Sequence, residues 1–274
     1  MKQFKKVITL AIFSLVTISC GAAIEQPNYE YKANQSGVPY YRFWQGWKRT
    51  DLTSEQFLNR LRSFMPLTPQ THAKNGLVGY TVGIPPRNSA PWIADEFALV
   101  TYQSEAVYQR AKATPEGQKY AAAHWELFQR GPSKSAVPQR VDPRKRIRVQ
   151  LGQAYDVLSM PVNWRQGYTT FYFGVRRKGL SNNDFAQGMS QHVELVKRGF
   201  YPQGMRGYVI LVTDRYEIAY QNWASEAHFR KAMQSNAAKY IQKQGQPYLK
   251  TFMFRPAGPY VREARPNTAI NFHF

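Results

Sequence analysis

Apolar and polar positions divide the chain into short elements that recur in the same order. Residues 40–47 and 169–175 are apolar or aromatic on both alternating rows, the pattern of a strand covered on both faces. After the first, Thr53-Ser54-Glu55-Gln56 has capping-box spacing and Phe57, Leu61 and Phe64 form one apolar stripe, which predicts a helix. After the second, Ser181 opens an equivalent helix carrying Phe185, Met189, Val193 and Val196 on one face. Second strands are expected at 79–83 and 207–212, and third strands at 97–102 and 217–223. Ser104 and Ser225, each followed by Glu, read as N-caps of helices that run to about Phe128 and Gly245. A fourth strand closes the second unit at 248–254. In the first unit, 147–155 is preferred to 135–141 as the fourth strand, leaving 131–144 as an inserted loop and 159–167 as a linker.

The recurrence extends to the residues themselves. Residues 42–83 align without a gap on 170–211 at an offset of 128, so that Phe43-Trp44-Gln45-Gly46 returns as Phe171-Tyr172-Phe173-Gly174. A second block repeats at an offset of 121, Tyr102-Gln103-Ser104-Glu105-Ala106 against Trp223-Ala224-Ser225-Glu226-Ala227. The difference of seven residues is an extra loop around 85–92 in the first copy. Copies this long imply two domains of one fold, not a solenoid. A four-stranded antiparallel sheet with helices on one side leaves its other side bare, and pairing two such sheets face to face covers both. The expected class is α+β: two tandem ferredoxin-like (βαββαβ) domains, 40–158 and 168–258, packed as an intramolecular pseudo-dimeric α+β barrel. Residues 21–39 read as a polar tether and 259–274 as a tail with little pattern.

Residues 1–20 read as an address. Lys2, Lys5 and Lys6 precede an apolar stretch, 7–18, too short to span a bilayer. Val16-Thr17-Ile18-Ser19-Cys20 resembles a bacterial lipobox, in which the Cys20 thiol takes a diacylglycerol and becomes the mature N-terminus. Gly21 after the cysteine resembles the sorting pattern of outer-membrane lipoproteins. The alternative is cleavage after 21–23, which yields a soluble periplasmic or secreted protein. Cys20 is the only cysteine, so neither disulfides nor thiolate metal sites stabilise the domains beyond it. The net charge is +20, or +17 without the three leader lysines, and Arg140, Arg144, Lys145, Arg146 and Arg148 form the densest run. Such charge suits an anionic envelope component as partner, and export argues against nucleic acid. Because one chain supplies both sheets, a monomer or weak oligomer is expected.

Both units resemble the dimeric α+β barrel superfamily, and more narrowly its EthD and antibiotic-biosynthesis-monooxygenase members. Arg176-Arg177-Lys178-Gly179-Leu180-Ser181…Phe185 is similar to the first strand-to-helix turn of EthD-type domains. Ser104-Glu105-Ala106…Ala113-Thr114-Pro115-Glu116-Gly117-Gln118…Phe128 is similar to their second helix. The resemblance implies a cleft between sheet and helices or within the barrel. It also implies activities ranging from cofactor-independent monooxygenases and isomerases of small aromatic compounds to haem binding. First- and third-strand positions supply Trp44, Trp47, Tyr102, Tyr172 and Trp223 as ligand-binding walls, with Arg42, Asn222, Arg206 and His192 as the polar candidates for catalysis. His124 stands where the family usually carries an aspartate, and His228 reads as a capping-region residue. The Asn-Trp-His set of haem-degrading relatives is not reproduced at Asn222-Trp223. No HExxH or Cys–His pattern predicts a metal. The leading expectation is an envelope-anchored, non-catalytic binder of a hydrophobic, aromatic or anionic ligand that needs no cofactor. The alternatives are a cofactor-independent monooxygenase or isomerase, and a haem-binding protein. The anchor is testable directly: Cys20→Ser should move the protein from the membrane to the soluble fraction on cell fractionation, and unchanged partition would overturn the lipobox reading.

Overall fold

The computed structural model describes residues 38–87, 89–260 and 264–274, so the lipobox with Cys20 and most of the tether lie outside the described residues. The first half runs β1 (Tyr40–Gly46), α1 (Ser54–Phe64), α2 (Leu67–His72), β2 (Leu77–Ile84), β3 (Glu96–Tyr102), α3 (Glu105–Ala113), α4 (Pro115–Leu127) and β4 (Lys134–Ala136). Two short strands come next, β5 (Gln139–Arg140) and β6 (Gln153–Asp156). The second half runs β7 (Tyr168–Arg176), α5 (Asn182–Phe200), β8 (Met205–Val212), β9 (Tyr216–Trp223), α6 (Glu226–Gln234), α7 (Asn236–Gly245) and β10 (Leu249–Pro259), and β11 (Thr268–Asn271) ends the series.

Local chemistry sets the helix ends. Thr53 and Gln56 make the reciprocal capping box, and Ser104, Ser181 and Ser225 accept from the backbone N–H three residues on. The expected single second helix of each half is in fact two. Thr114 and Ser235, 121 residues apart, are extended and cap a fresh helix. Thr114 precedes Pro115, whose ring disfavours helical backbone at the residue before it.

All the strands form one curled sheet in the order β4-β1-β3-β2-β11-β10-β7-β9-β8-β6-β5. The segment β4-β1-β3-β2 and the segment β10-β7-β9-β8 have the same order of corresponding strands. β11 lies between them, antiparallel to β2 and parallel to β10. The sheet's two ends, β4 and β5, are separated only by residues 137 and 138, so the chain itself draws the ends together.

Three sequence expectations need correction. The fourth strand of the first half is Lys134–Ala136 beside β1, whereas 153–156 pairs with β8 in the other half. The tail at 259–274 contains β11, the strand that stitches the halves. The linker 159–167 carries Trp164, which is 1% exposed. A strand of three or four residues is too short to show a period, and its partner is chosen by distant residues.

The apolar residues fall into three layers. Helices α1–α4 pack on one face of the first half around Phe57, Leu61, Phe64, Tyr80 and Phe128. Helices α5–α7 pack equivalently around Phe185, Met189, Val193 and Tyr208. The third layer is inside the curl, where Phe43 and Phe97 meet Phe171, Phe173 and Tyr220 from the other half. Trp164 closes one end of this interior. Its indole N–H donates to the Tyr41 hydroxyl at 2.9 Å, and its carbonyl accepts from Asn271 at 3.0 Å. Gly79 and Gly207, 128 residues apart, both make room for it: a Cβ on either would come within 3.0 or 2.8 Å of Trp164. Trp164→Ala should therefore cost about 3–5 kcal/mol of unfolding free energy in urea titration, and a loss below about 1 kcal/mol would show that the interior does not depend on this ring.

Candidate functional site

Between each half of the sheet and its helices lies a cavity, about 200 Å³ in the first half and about 430 Å³ in the second. The two are lined by residues related through the same offsets that relate the sequence blocks. At 128 the pairs are Trp44 and Tyr172, Phe64 and His192, His72 and Phe200, and Tyr80 and Tyr208. At 121 they are Glu96 and Glu217, Tyr120 and Ile241, His124 and Gly245, and Trp125 and Gln246. The last three pairs account for the difference in size, because rings on α4 give way to smaller side chains on α7.

Three residue types are kept in both cavities, a tyrosine on the second strand, a glutamate at the start of the third, and the alanine two residues after it, Ala98 and Ala219. Glu96 and Glu217 are each 1% exposed. Trp44 Nε1 donates to Glu96 Oε2 at 3.2 Å, and the Tyr208 hydroxyl donates to Glu217 Oε1 at 3.4 Å. Burial in an apolar wall penalises the charged form and pushes both carboxyls up to about 8; these hydrogen bonds only partly oppose it. Both are therefore mostly neutral acids at pH 7.

The histidines differ between the cavities. In the second, His192 on α5 faces Glu217, with Nε2 to Oε2 at 3.8 Å. Burial pushes this imidazole down to about 4, so it is a neutral base beside a neutral acid. Glu217 Oε2 and His192 Nδ1 are buried with no hydrogen-bond partner. A ligand oxygen between Glu217 Oε2 and His192 Nε2 would be in reach of both. In the first cavity His72 and His124 come from α2 and α4, both pushed down to about 4 by burial. His124 Nδ1 lies 3.2 Å from the Tyr120 carbonyl oxygen, while His72 Nδ1 has no partner.

The residues named from sequence are distributed over separate places. Arg42, Trp44 and Tyr102 line the first cavity, and Tyr172 and His192 line the second. Arg206 is exposed at a surface hollow of about 960 Å³ that Asn222, His228 and Lys231 also line. Asn222 is buried, and its amide donates to the Gln166 carbonyl at 2.8 Å and to Thr169 Oγ1 at 3.2 Å, which explains it as a brace for the chain entering β7. Trp223 is fully buried between Phe200 and Phe229 and lines neither cavity. Trp47 bonds to the Pro91 carbonyl away from both. His228 Nδ1 meets its own helix cap, Ser225, at 2.8 Å. The four polar candidates do not converge. The carboxyl that His192 meets was not among them, although an acid repeated at an offset of 121 ahead of apolar strand residues was visible in the sequence.

Among the described residues, no group of three or more His, Cys, Asp or Glu is placed to hold a metal ion. Of the cavity histidines, His192 and His72 do not suit a haem iron. His192 Nε2 faces Glu217, and α7 crowds its other nitrogen so closely that a Cβ at Gly245 would sit 2.9 Å from Nδ1. His72 lies in the smaller cavity.

No family model matches the chain, and no curated protein matches it in sequence. Among solved structures it is similar to a proposed monooxygenase of Fusobacterium nucleatum subsp. nucleatum, 11% identical with a TM-score of 0.45 over 82% of this chain and 97% of that one. A proposed monooxygenase of Lactobacillus acidophilus matches at 8% identity and TM-score 0.39, over 85% and 99% of the two chains. SnoaB, a cofactor-independent oxygenase from Streptomyces nogalater, matches at 13% identity and TM-score 0.26, over 38% of this chain and 92% of its own. At this level of similarity the description of the fold rests on the strand order itself.

The buried acids make stability depend on pH. Above pH 6.5 an unfolded chain has ionised carboxylates and neutral histidines, while folded Glu96 and Glu217 still hold protons up to about 8. The folded state then binds more protons than the unfolded one, so stability falls as pH rises from 6.5 to about 8 and levels off beyond. Urea midpoints measured across this range should show that fall. Glu217→Gln should remove part of it and the double variant with Glu96→Gln most of it; an unchanged slope in the double variant would show that neither acid is held neutral.

Proposed function

We propose that this protein is an envelope-anchored, internally duplicated barrel of the dimeric α+β type that binds a flat, largely apolar small molecule bearing a hydroxyl or carbonyl oxygen. The second-half cavity is its principal site. The observation that carries this reading is the Glu217–His192 pair, two buried polar groups that face each other in a roomy cavity without bonding. Leaving Glu217 Oε2 without a partner costs free energy that an apolar packing residue would avoid, and a ligand oxygen that meets it and His192 Nε2 offsets that cost. Tyr172, Ile241 and Phe254 supply apolar wall, and a cavity of about 430 Å³ lies in the range of small-molecule sites. The matching strand orders of the two halves and the shared offsets of their cavities support the duplication. Anchoring rests on Cys20, and the exposed run Arg144, Lys145, Arg146 and Arg148 would meet an anionic envelope component. Lys197 fastens that loop to α5 through the carbonyls of Pro143 and Lys145.

The same pair favours a second reading, a cofactor-independent isomerase or oxygenase. A neutral imidazole beside a protonated carboxyl can take a proton from a ligand C–H or O–H while an oxygen of the ligand receives one. One set of experiments tests both readings. 2-Naphthol should bind the full chain with fluorescence quenching, weaken about tenfold in Glu217→Gln, and be lost when Ala238→Phe fills the cavity. Binding that survives Ala238→Phe would overturn the site. Exchange of the C–H protons beside the carbonyl of 2-tetralone in D2O, accelerated by the protein and abolished in His192→Ala, would make it an enzyme; no acceleration leaves it a binder.

A further inference from the structure

The first-half cavity differs from its counterpart in ways that suit another ligand. It is narrow and ring-walled, by Trp44, Phe64 and Tyr120 among others, at about 200 Å³. An apolar cavity of about 150 Å³ is enough to take up benzene, so there is room here for one ring and one small substituent. Two cations belong to its lining, Arg42 on β1 and Lys112 on α3. Arg42 lies over the Tyr108 ring at 5.1 Å, and neither cation has a carboxylate partner among the described residues. The equivalent positions in the second half are Thr170 and Met233; the cations that line that cavity, Arg177 and Lys250, stand at other positions, and Arg177 is held by the Gln246 carbonyl.

Polar atoms inside the cavity are also left over. His72 is 3% exposed with Nδ1 unpartnered, and Ser135 Oγ, on β4, is buried without a partner. A pocket that only packed rings would not retain two such atoms. From this arrangement we infer that the first-half cavity is a separate binding site for a single-ring aromatic carboxylate. The ring is enclosed by Trp44, Phe64 and Tyr120 and the carboxylate is held by Arg42 and Lys112, with His72 and Ser135 meeting a polar substituent on the ring. Glu96 does not oppose an anion there, because burial raises its carboxyl to about 8 and keeps it mostly uncharged at neutral pH. This site stands apart from the Glu217 cavity and does not require that one to bind anything.

Benzoate and its neutral analogue benzamide, titrated calorimetrically into the full chain, test the inference. Benzoate should bind with a stoichiometry of one and should quench tryptophan emission, since Trp44 and Trp125 line this cavity and no tryptophan lines the other. Benzamide should bind about tenfold more weakly. Added salt should weaken benzoate and not benzamide. Arg42→Gln should bring benzoate down to the level of benzamide, and Lys112→Gln, at an exposed helix position that does not endanger folding, should move it in the same direction. Glu217→Gln should leave the benzoate affinity as it is in the unaltered chain. No benzoate binding at millimolar concentration, equal affinity for the two probes, or insensitivity to both cation variants would overturn the inference. Loss of benzoate binding in Glu217→Gln would assign it to the other cavity and overturn it equally.

Discussion

A sheet with helices over one face must still keep water from the other, and here it does so by folding onto itself. Phe43 meets Tyr220 at 5.4 Å between ring centroids, and Phe97 meets Phe173 at 5.6 Å, each pair joining one half to the other. Non-directional apolar burial drives that closure, while polar side chains inside it specify how the halves sit. The Tyr216 hydroxyl donates to Gln45 at 2.6 Å, Thr81 to Asn271 at 2.9 Å, and the Trp164 indole to Tyr41 at 2.9 Å. Each bond joins segments far apart in the chain and removes a buried polar group that would otherwise count against folding. With the inside filled by rings, the Glu96 and Glu217 cavities lie outside the curl, between sheet and helices.

That constraint explains where these two cavities lie and why they differ. Each lies over the outer face of one half, floored by the same strand positions and roofed by that half's helices. The floor keeps its tyrosine and glutamate in both, because the strands are locked by pairing and by the rings beneath. The roof is free to change. Tyr120, His124 and Trp125 become Ile241, Gly245 and Gln246, which opens the second cavity, while Phe64 becomes His192 and brings a base to the carboxyl. One scaffold therefore presents an acid in a tight, ring-lined space and an acid–base pair in a wider one.

Much of the frame was legible because it depends on local rules. Capping residues, both-face apolar strands and the two offsets fixed the elements of each half and their order. The sites were less legible. Arg42, Trp44, Tyr102, Tyr172 and His192 do line cavities, since first- and third-strand positions and one helix face decide that. Trp223 looked like its partner Tyr102 yet is sealed under Phe200 and Phe229, and Asn222 is consumed by the Gln166 carbonyl. Glu96 and Glu217 were not among the residues singled out, because nothing local marks a carboxylate as buried.

What the sequence determined by itself is the recurring run of elements, since periodicity, caps and turns act over a few residues and each half carries them independently. Tertiary structure alone decided which strand joins which. β11 stitches the halves, β6 leaves the first half for the second, and Trp164 turns a linker into the closure of the interior, all by contacts more than a hundred residues apart or by strands too short to carry a pattern. It also decided the chemistry. A glutamate becomes a neutral acid and a histidine its facing base only when a sheet and a helix from different parts of the chain exclude water around both.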